Sequence, residues 1–104
     1  MNQSTFELQA EFCKTMGNTI RLHVVHILRE HPKTVGKISQ EIGLPQSSIS
    51  RDLSCLRNMG VVTAKRNGTE MVYQITDKKI VEVCDLVRSV LVEQIQKSSR
   101  ILES

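Results

Sequence analysis

Residues 43–62, running from Gly43-Leu44-Pro45 to Met59-Gly60-Val61-Val62, constrain this chain more than any other stretch. A turn opens the segment, and a helical pattern follows with Ile49, Leu53 and Leu56 on one face. At about 100° per residue, Ser47, Arg51, Ser54 and Asn58 gather on the opposite face. A helix anchored by one stripe and offering Ser, Arg and Asn on the other suits a DNA major groove. There Arg can pair guanine twice, Gln reads adenine, and Ser takes either. Taken alone, the same pattern better describes a solvated amphipathic helix, so the flanking residues decide the reading.

Upstream, Thr34 to Ile42 reads as a short helix capped by Thr34, with Val35, Ile38 and Ile42 buried. Gly43 stops it, and so short a Gly-containing turn before the next helix makes a helix-turn-helix unit over 34–58. Downstream, two β-rich runs flank Asn67-Gly68 within 61–75. That dipeptide predicts a type I′ hairpin pairing Arg66 with Thr69, Lys65 with Glu70, Ala64 with Met71 and Val62 with Tyr73. Val62, Ala64, Met71, Tyr73 and Ile75 then face the core, and Lys65, Arg66 and Asn67 stand at the tip. Helix-turn-helix plus basic-tipped hairpin is a winged helix, mostly α with a β-hairpin wing. Its expected DNA contacts are Gln46, Ser47, Ser48, Ser50, Arg51 and Ser54 on the helix, with Lys65, Arg66 and Asn67 on the wing.

Charge follows the motif. Residues 33–66 hold six basic side chains against two acidic ones, a net of +4, so the rest of the chain carries −1 of the total +3. Positive charge therefore sits where phosphates would be met. At 104 residues the expectation is one domain, 1–104. No apolar run has the length of a membrane span, and the first residues lack a signal peptide's charged-then-apolar design. Three cysteines without paired spacing point to a reducing, cytoplasmic setting.

The flanks predict dimerisation. Thr5 to Met16 carries Phe6, Ala10 and Cys13 on one stripe, widened by Leu8, Phe12 and Met16. Asn18 caps a second helix, Thr19 to Glu30, with Ile20, Val24, Ile27 and Leu28 inward and Pro32 closing it. Thr76 or Asp77 starts a long helix over 77–98 with Ile80, Val83, Cys84, Val87, Val90, Leu91 and Ile95 in line, while Val81, Leu86 and Val92 widen the apolar character. So apolar a terminal helix needs more cover than a small domain supplies. The first and last helices are therefore expected to pack against their copies in a C₂ homodimer. The competing expectation is that the last helix folds back on its own domain.

Gly17 to Leu22, Ile42 to Leu53, Leu56 to Val62, Asn67-Gly68 and Val72-Tyr73 together resemble the ArsR/SmtB family across nearly the whole chain. The resemblance implies an α-α-α-α-β-β-α winged-helix homodimer that represses an operon and leaves its operator when an inducer binds. Two positions depart from the family pattern. Pro45 stands where a Ser or Thr cap is commoner, which moves capping elsewhere or leaves Pro in the first helical turn, where it is tolerated. Asp52 is acidic where His or another neutral or basic residue is usual; it is expected to accept from a cytosine amino group or to restrain Arg51.

The inducer sites implied by the resemblance are incomplete in this chain. Soft-metal sensors place Cys-x-Cys where Thr34 and Gly36 stand. Zinc and nickel/cobalt sensors use carboxylates and histidines on the last helix; Asp77 and Glu93 match, but Lys79 and Val90 occupy the histidine positions. Asp77 reads more simply as a helix-start residue and Glu93 as solvated. A cadmium or lead pair four apart is represented by Cys55, with Met59 in place of the second cysteine. No metal or cofactor is therefore expected. His23 and His26, three apart, have no acidic or thiol partner near in sequence, and His31 reads as a helix end. Cys13, Cys55 and Cys84 remain as candidate thiol sensors; Cys13 and Cys84 lie on stripes assigned to packing, and Cys55, off the core stripe of its helix, is the expected reactive thiol.

An operon repressor on double-stranded DNA with an inverted-repeat operator is the leading reading. Release by a metal, metalloid or thiol-oxidising inducer is one expectation, and a constitutive repressor or one answering an unrelated signal is its alternative. The alternative is a winged-helix module for protein or RNA interaction without operator-specific binding. An enzyme is disfavoured: there is no Gly-rich phosphate loop, and no nucleophile, base and orienting group can be placed together.

Overall fold

A computed structural model of the chain describes residues 3–103, with side chains through residue 99. The helices are α1 (Thr5–Met16), α2 (Thr19–Leu28), α3 (Val35–Ile42), α4 (Gln46–Asn58) and α5 (Lys78–Glu103). The strands are β1 (Lys33–Thr34), β2 (Val62–Asn67) and β3 (Glu70–Ile75).

Local chemistry sets most helix starts. The side chains of Ser4, Asn18 and Thr34 accept from Glu7 N, Arg21 N and Lys37 N, so each satisfies one orphan donor of a first turn. Asp77 does the same at the mouth of α5, accepting from Lys79 N at 2.9 Å. Gly43 ends α3 at φ 81°, a left-handed position that lets its N–H return to Ser39 O. The Ser39 hydroxyl donates to Leu44 O and tightens the turn into α4. Pro45 precedes α4 as its cap without any side-chain hydrogen bond. The missing cap is replaced only by backbone: Pro45 O accepts from Ser48 N and Ile49 N.

Several expectations need correction, among them the bounds of the last helix, which runs Lys78–Glu103 and not over 77–98. The α2 helix ends at Leu28 rather than Glu30, so Pro32 and His31 belong to the following connection and not to the helix end. The sheet has three strands in the order β1-β3-β2, because Lys33 and Thr34 pair with Tyr73 and Val72. Two residues are too few for a period-2 pattern, so sequence offered no signal of β1.

The hairpin register differs as well. Asn67 pairs with Glu70, Arg66 with Met71, Ala64 with Tyr73 and Val62 with Ile75. The two-residue loop is thus Gly68-Thr69, one step later than expected. Gly68 alone has positive φ, at 65°, as a II′-like turn requires at its first central position. A type I′ turn would have forced a non-glycine residue to positive φ, and none adopts it among the described residues. Partners shift by two residues, an even number, so every side chain keeps its expected face.

The core is formed by Val24, Val25 and Leu28 of α2, Ile38 of α3, Ile49, Leu53 and Leu56 of α4, Val61 and Val62 at the wing, with Met16 and Val81 closing its ends. Tyr73, Ile75, Ile80 and Cys84 pack on it from outside. Ile20 and Ile27, expected inward, are only half-buried, and Val25 takes a core place instead.

Candidate nucleic-acid interface

The α4 helix presents two unlike sides. Ile49, Leu53 and Leu56 are fully buried against α2, α3 and the wing. Gln46, Ser47, Ser48, Ser50, Arg51, Ser54 and Asn58 are all exposed. None of these exposed side chains is engaged in a side-chain hydrogen bond among the described residues, so their polar groups are free to meet a partner. The Gln46 amide lies beside Gly36 of α3, 3.4 Å from where a Cβ there would sit. Lys65, Arg66 and Asn67 are exposed at the tip of β2. The structure thus brings the predicted residues onto one helix face and one wing tip.

Asp52 does not belong to that face. It is 8% exposed and is the one buried charged residue in the described chain. Its Oδ1 accepts from Arg21 Nε at 3.0 Å, across the α2–α4 packing. The expectation that Asp52 reads a cytosine or restrains Arg51 is therefore wrong. At about 100° per residue Asp52 points a quarter-turn away from Arg51, onto the side of α4 that meets α2.

The same guanidinium extends the contact. Arg21 Nη2 donates to Cys55 Sγ at 3.4 Å, and Nη1 donates to Thr15 O at 3.2 Å. Cys55 is half-buried in this cluster rather than standing clear at a helix edge. Arg21 was missed from sequence because its partners lie 31 and 34 positions away. The only cue was an acidic residue on an otherwise basic segment.

A second feature lies away from α4. A groove of about 540 Å³ runs between α1, α2 and α5, lined by Phe12, Met16, Leu22, Val83, Val87 and Leu91 with Cys13, Cys84, His23, His26 and Arg88 among them. Cys13 is exposed in the single chain, and burial pushes the Cys84 thiol up, with Asp85 adding to the shift and Arg88 opposing it. His26 Nδ1 is buried without a hydrogen-bond partner. Burial, then Arg29, Arg88 and His23, lower its pKa, and only Asp85 opposes them. Among the described residues no three His, Cys, Asp or Glu side chains come together as a metal site.

The profile described as "Bacterial regulatory protein, arsR family" matches residues 18–64, from the α2 cap into β2. An uncharacterised HTH-type transcriptional regulator, Rv0081 of Mycobacterium tuberculosis, is 34% identical over 103 residues, covering 98% of this chain and 90% of its own. The chain belongs to the arsR family. This ArsR-family regulator also resembles the Xylella fastidiosa biofilm growth-associated repressor, at 31% identity over 82% of this chain and 75% of that one. Its fold matches the crystal structure of Rv0081 with a TM-score of 0.81 and 33% identity, covering 93% of this chain and 98% of that one. It likewise matches the solution structure of a homodimeric winged helix-turn-helix DNA-binding domain, Mb0332 of Mycobacterium bovis. There the TM-score is 0.80 and the identity 26%, covering 92% and 94% of the two chains. An ArsR-family chain with this architecture is a DNA-binding transcriptional regulator, and no described helix is long and apolar enough to cross a membrane.

Proposed function

We propose that this ArsR-family chain is a homodimeric operon repressor of the cytoplasm. In this reading each α4 enters a major groove of an inverted-repeat operator, and Lys65, Arg66 and Asn67 grip flanking phosphates. The observation that carries it is the two-sided α4: a sealed apolar side fixes the helix while Gln46, Ser47, Ser48, Ser50, Arg51 and Ser54 stay exposed and unengaged. Arg51 is the group suited to bidentate guanine recognition.

Surface area supports the dimer. The chain exposes 7737 Å², whereas a compact monomer of 11.8 kDa should expose about 5900 Å². Much of the excess is apolar: Phe6, Leu8, Leu22, Val83, Leu86, Val87, Val90, Leu91, Val92 and Ile95 are all exposed on α1, α2 and α5. The last helix does not fold back to bury this stripe. A standard interface hides about 800 Å² per partner, well within that excess. Two-fold pairing through α1 and α5 would set the α4 helices roughly 34 Å apart, on successive turns of one duplex face.

The inducer-responsive thiol is Cys13, exposed in the groove that it shares with Cys84, whose own thiol burial pushes up; Cys55 is half-buried beside Arg21. A thiol-reactive agent bound there would weigh on dimer geometry and so on the operator complex.

Selection of bound duplexes from a random pool, with light scattering of the free protein, tests the reading. An imperfect inverted repeat bound by a dimer is expected, with release by soft metals or peroxide in wild type and not in C13S/C84S. A micromolar monomer without duplex preference would leave the protein- or RNA-interaction reading in its place.

A further inference from the structure

Among the described residues, every side-chain hydrogen bond reaching α4 from another element comes from Arg21. We infer that Arg21 is a positioning residue for operator specificity: without touching DNA, it fixes the rotation of α4 about its own axis. The inference rests on the operator reading above.

Elsewhere α4 has few directional anchors. Its N-terminus has no side-chain cap, because Pro45 stands there. Its apolar stripe holds it against the core, but hydrophobic contact is non-directional. Side chains end roughly 5–6 Å from a helix axis, so a 20° roll moves a reading group by about 2 Å. Two-hydrogen-bond recognition tolerates only about 0.5 Å and 10–20°. Close packing of Ile49, Leu53 and Leu56 limits the roll, and a directional contact is needed to narrow it to that tolerance.

Arg21 meets that need. Its planar fork engages Asp52 Oδ1 at 3.0 Å, Cys55 Sγ at 3.4 Å and Thr15 O at 3.2 Å. Asp52 and Cys55 are one turn apart on α4, so two points on the helix side are tied to one rigid group. Thr15 O lies in the last turn of α1, which ties the same group to a helix of the proposed dimer face. Arg21 is itself fixed at the first turn of α2, where its N–H donates to Asn18 Oδ1 at 3.1 Å. Asp52 precedes no free choice of partner: its side chain is 11% exposed and its acceptor faces this guanidinium. The roll of α4, and with it the place of Arg51 and Ser54, is thereby referred to the α1–α2 corner.

Arg21→Lys keeps the charge and loses the fork, and Asp52→Asn keeps an acceptor oxygen and loses the charge. The test compares the duplex recovered by selection with a scrambled duplex of equal length and salt. R21K is expected to lower the preference for the selected duplex by about tenfold, with scrambled-duplex affinity and salt slope unchanged because the phosphate contacts are elsewhere. D52N should do the same to a smaller degree, and the double variant should be no worse than R21K, since both act through one contact. If R21K does not melt cooperatively, D52N carries the comparison. A role in stability alone would lower both affinities together and leave their ratio intact. That result, in R21K or D52N, overturns the assignment. A wild type that does not distinguish the two duplexes fails earlier, and defeats the operator reading itself.

Discussion

The two ends of this molecule are built on opposite terms. Around α3 and α4 the central apolar side chains have found cover: Ile38, Ile49, Leu53 and Leu56 are at 0% exposure, with Val35 and Ile42 half-buried against them. Along α5 the stripe is left open, with Leu86 at 65% and Ile95 at 67%. Polar groups follow the same division. The α4 side holds a buried carboxylate answered by a guanidinium, whereas the groove beside α5 holds an imidazole nitrogen with no answer. One half is complete as a single chain and the other leaves an apolar face uncovered. A reading head must be rigid before it meets DNA, while an assembly face is finished only by its partner.

The largest effect should come from spoiling the open half. Val87→Asp places a charge in the middle of the α5 stripe; it should leave the fold intact, give a monomer by light scattering, and lower operator affinity by about 10²–10⁴ through lost bivalence. A V87D dimer would break the contrast between the halves. Next, Leu53→Ala empties a sealed position and should cost about 2–5 kcal/mol of stability in thermal or urea unfolding. Leu91→Ala on the open stripe should cost the dilute chain far less, and equal losses would show that α5 is not the unfinished side.

Smaller again, Arg51→Ala should weaken the selected duplex by about 1–3 kcal/mol and relax preference at one base pair, without changing the fold. Lys65→Ala should instead weaken all duplexes alike and reduce the salt slope by about 1, as a phosphate contact does. The smallest effect concerns His26, at the border of the two halves. Burial holds its pKa below the ordinary 6.5, so between the two values the unfolded chain binds the proton that the folded chain refuses. Stability should therefore fall as pH drops below about 6.5 and level off above it, with the slope reduced in His26→Leu. Melting temperatures across pH 5–8 would check this.

Much of the fold was legible because its signals are local. Thr34, Gly43 and the Ile49/Leu53/Leu56 spacing specify two helices and their turn from neighbouring residues alone, and the exposed face of α4 follows from the same period. The hairpin was legible in kind but misplaced by one residue. Asn67-Gly68 marks a turn, but the loop is Gly68-Thr69, with positive φ at Gly68 and not at Asn67. Strand β1 was invisible, since two residues carry no pattern and only β3 makes them a strand.

The candidate site divides along the same line. Which residues of α4 face outward is a matter of helical period, so sequence by itself determined Gln46, Ser47, Arg51 and Ser54 as a surface. It also determined that α5 is too apolar to stand in water uncovered. What Asp52 does was decided only by tertiary structure. A carboxylate at the margin of a helix face can read a base, pair with its neighbour or turn inward, and all three fit the local pattern. Burial against α2 selects the last, because there a charge is tolerable only with a partner, and Arg21, 31 residues away in the chain, supplies it. The pairing of Cys13 with Cys84 in one groove has the same origin: helices distant in sequence meet there, and no local period records the meeting.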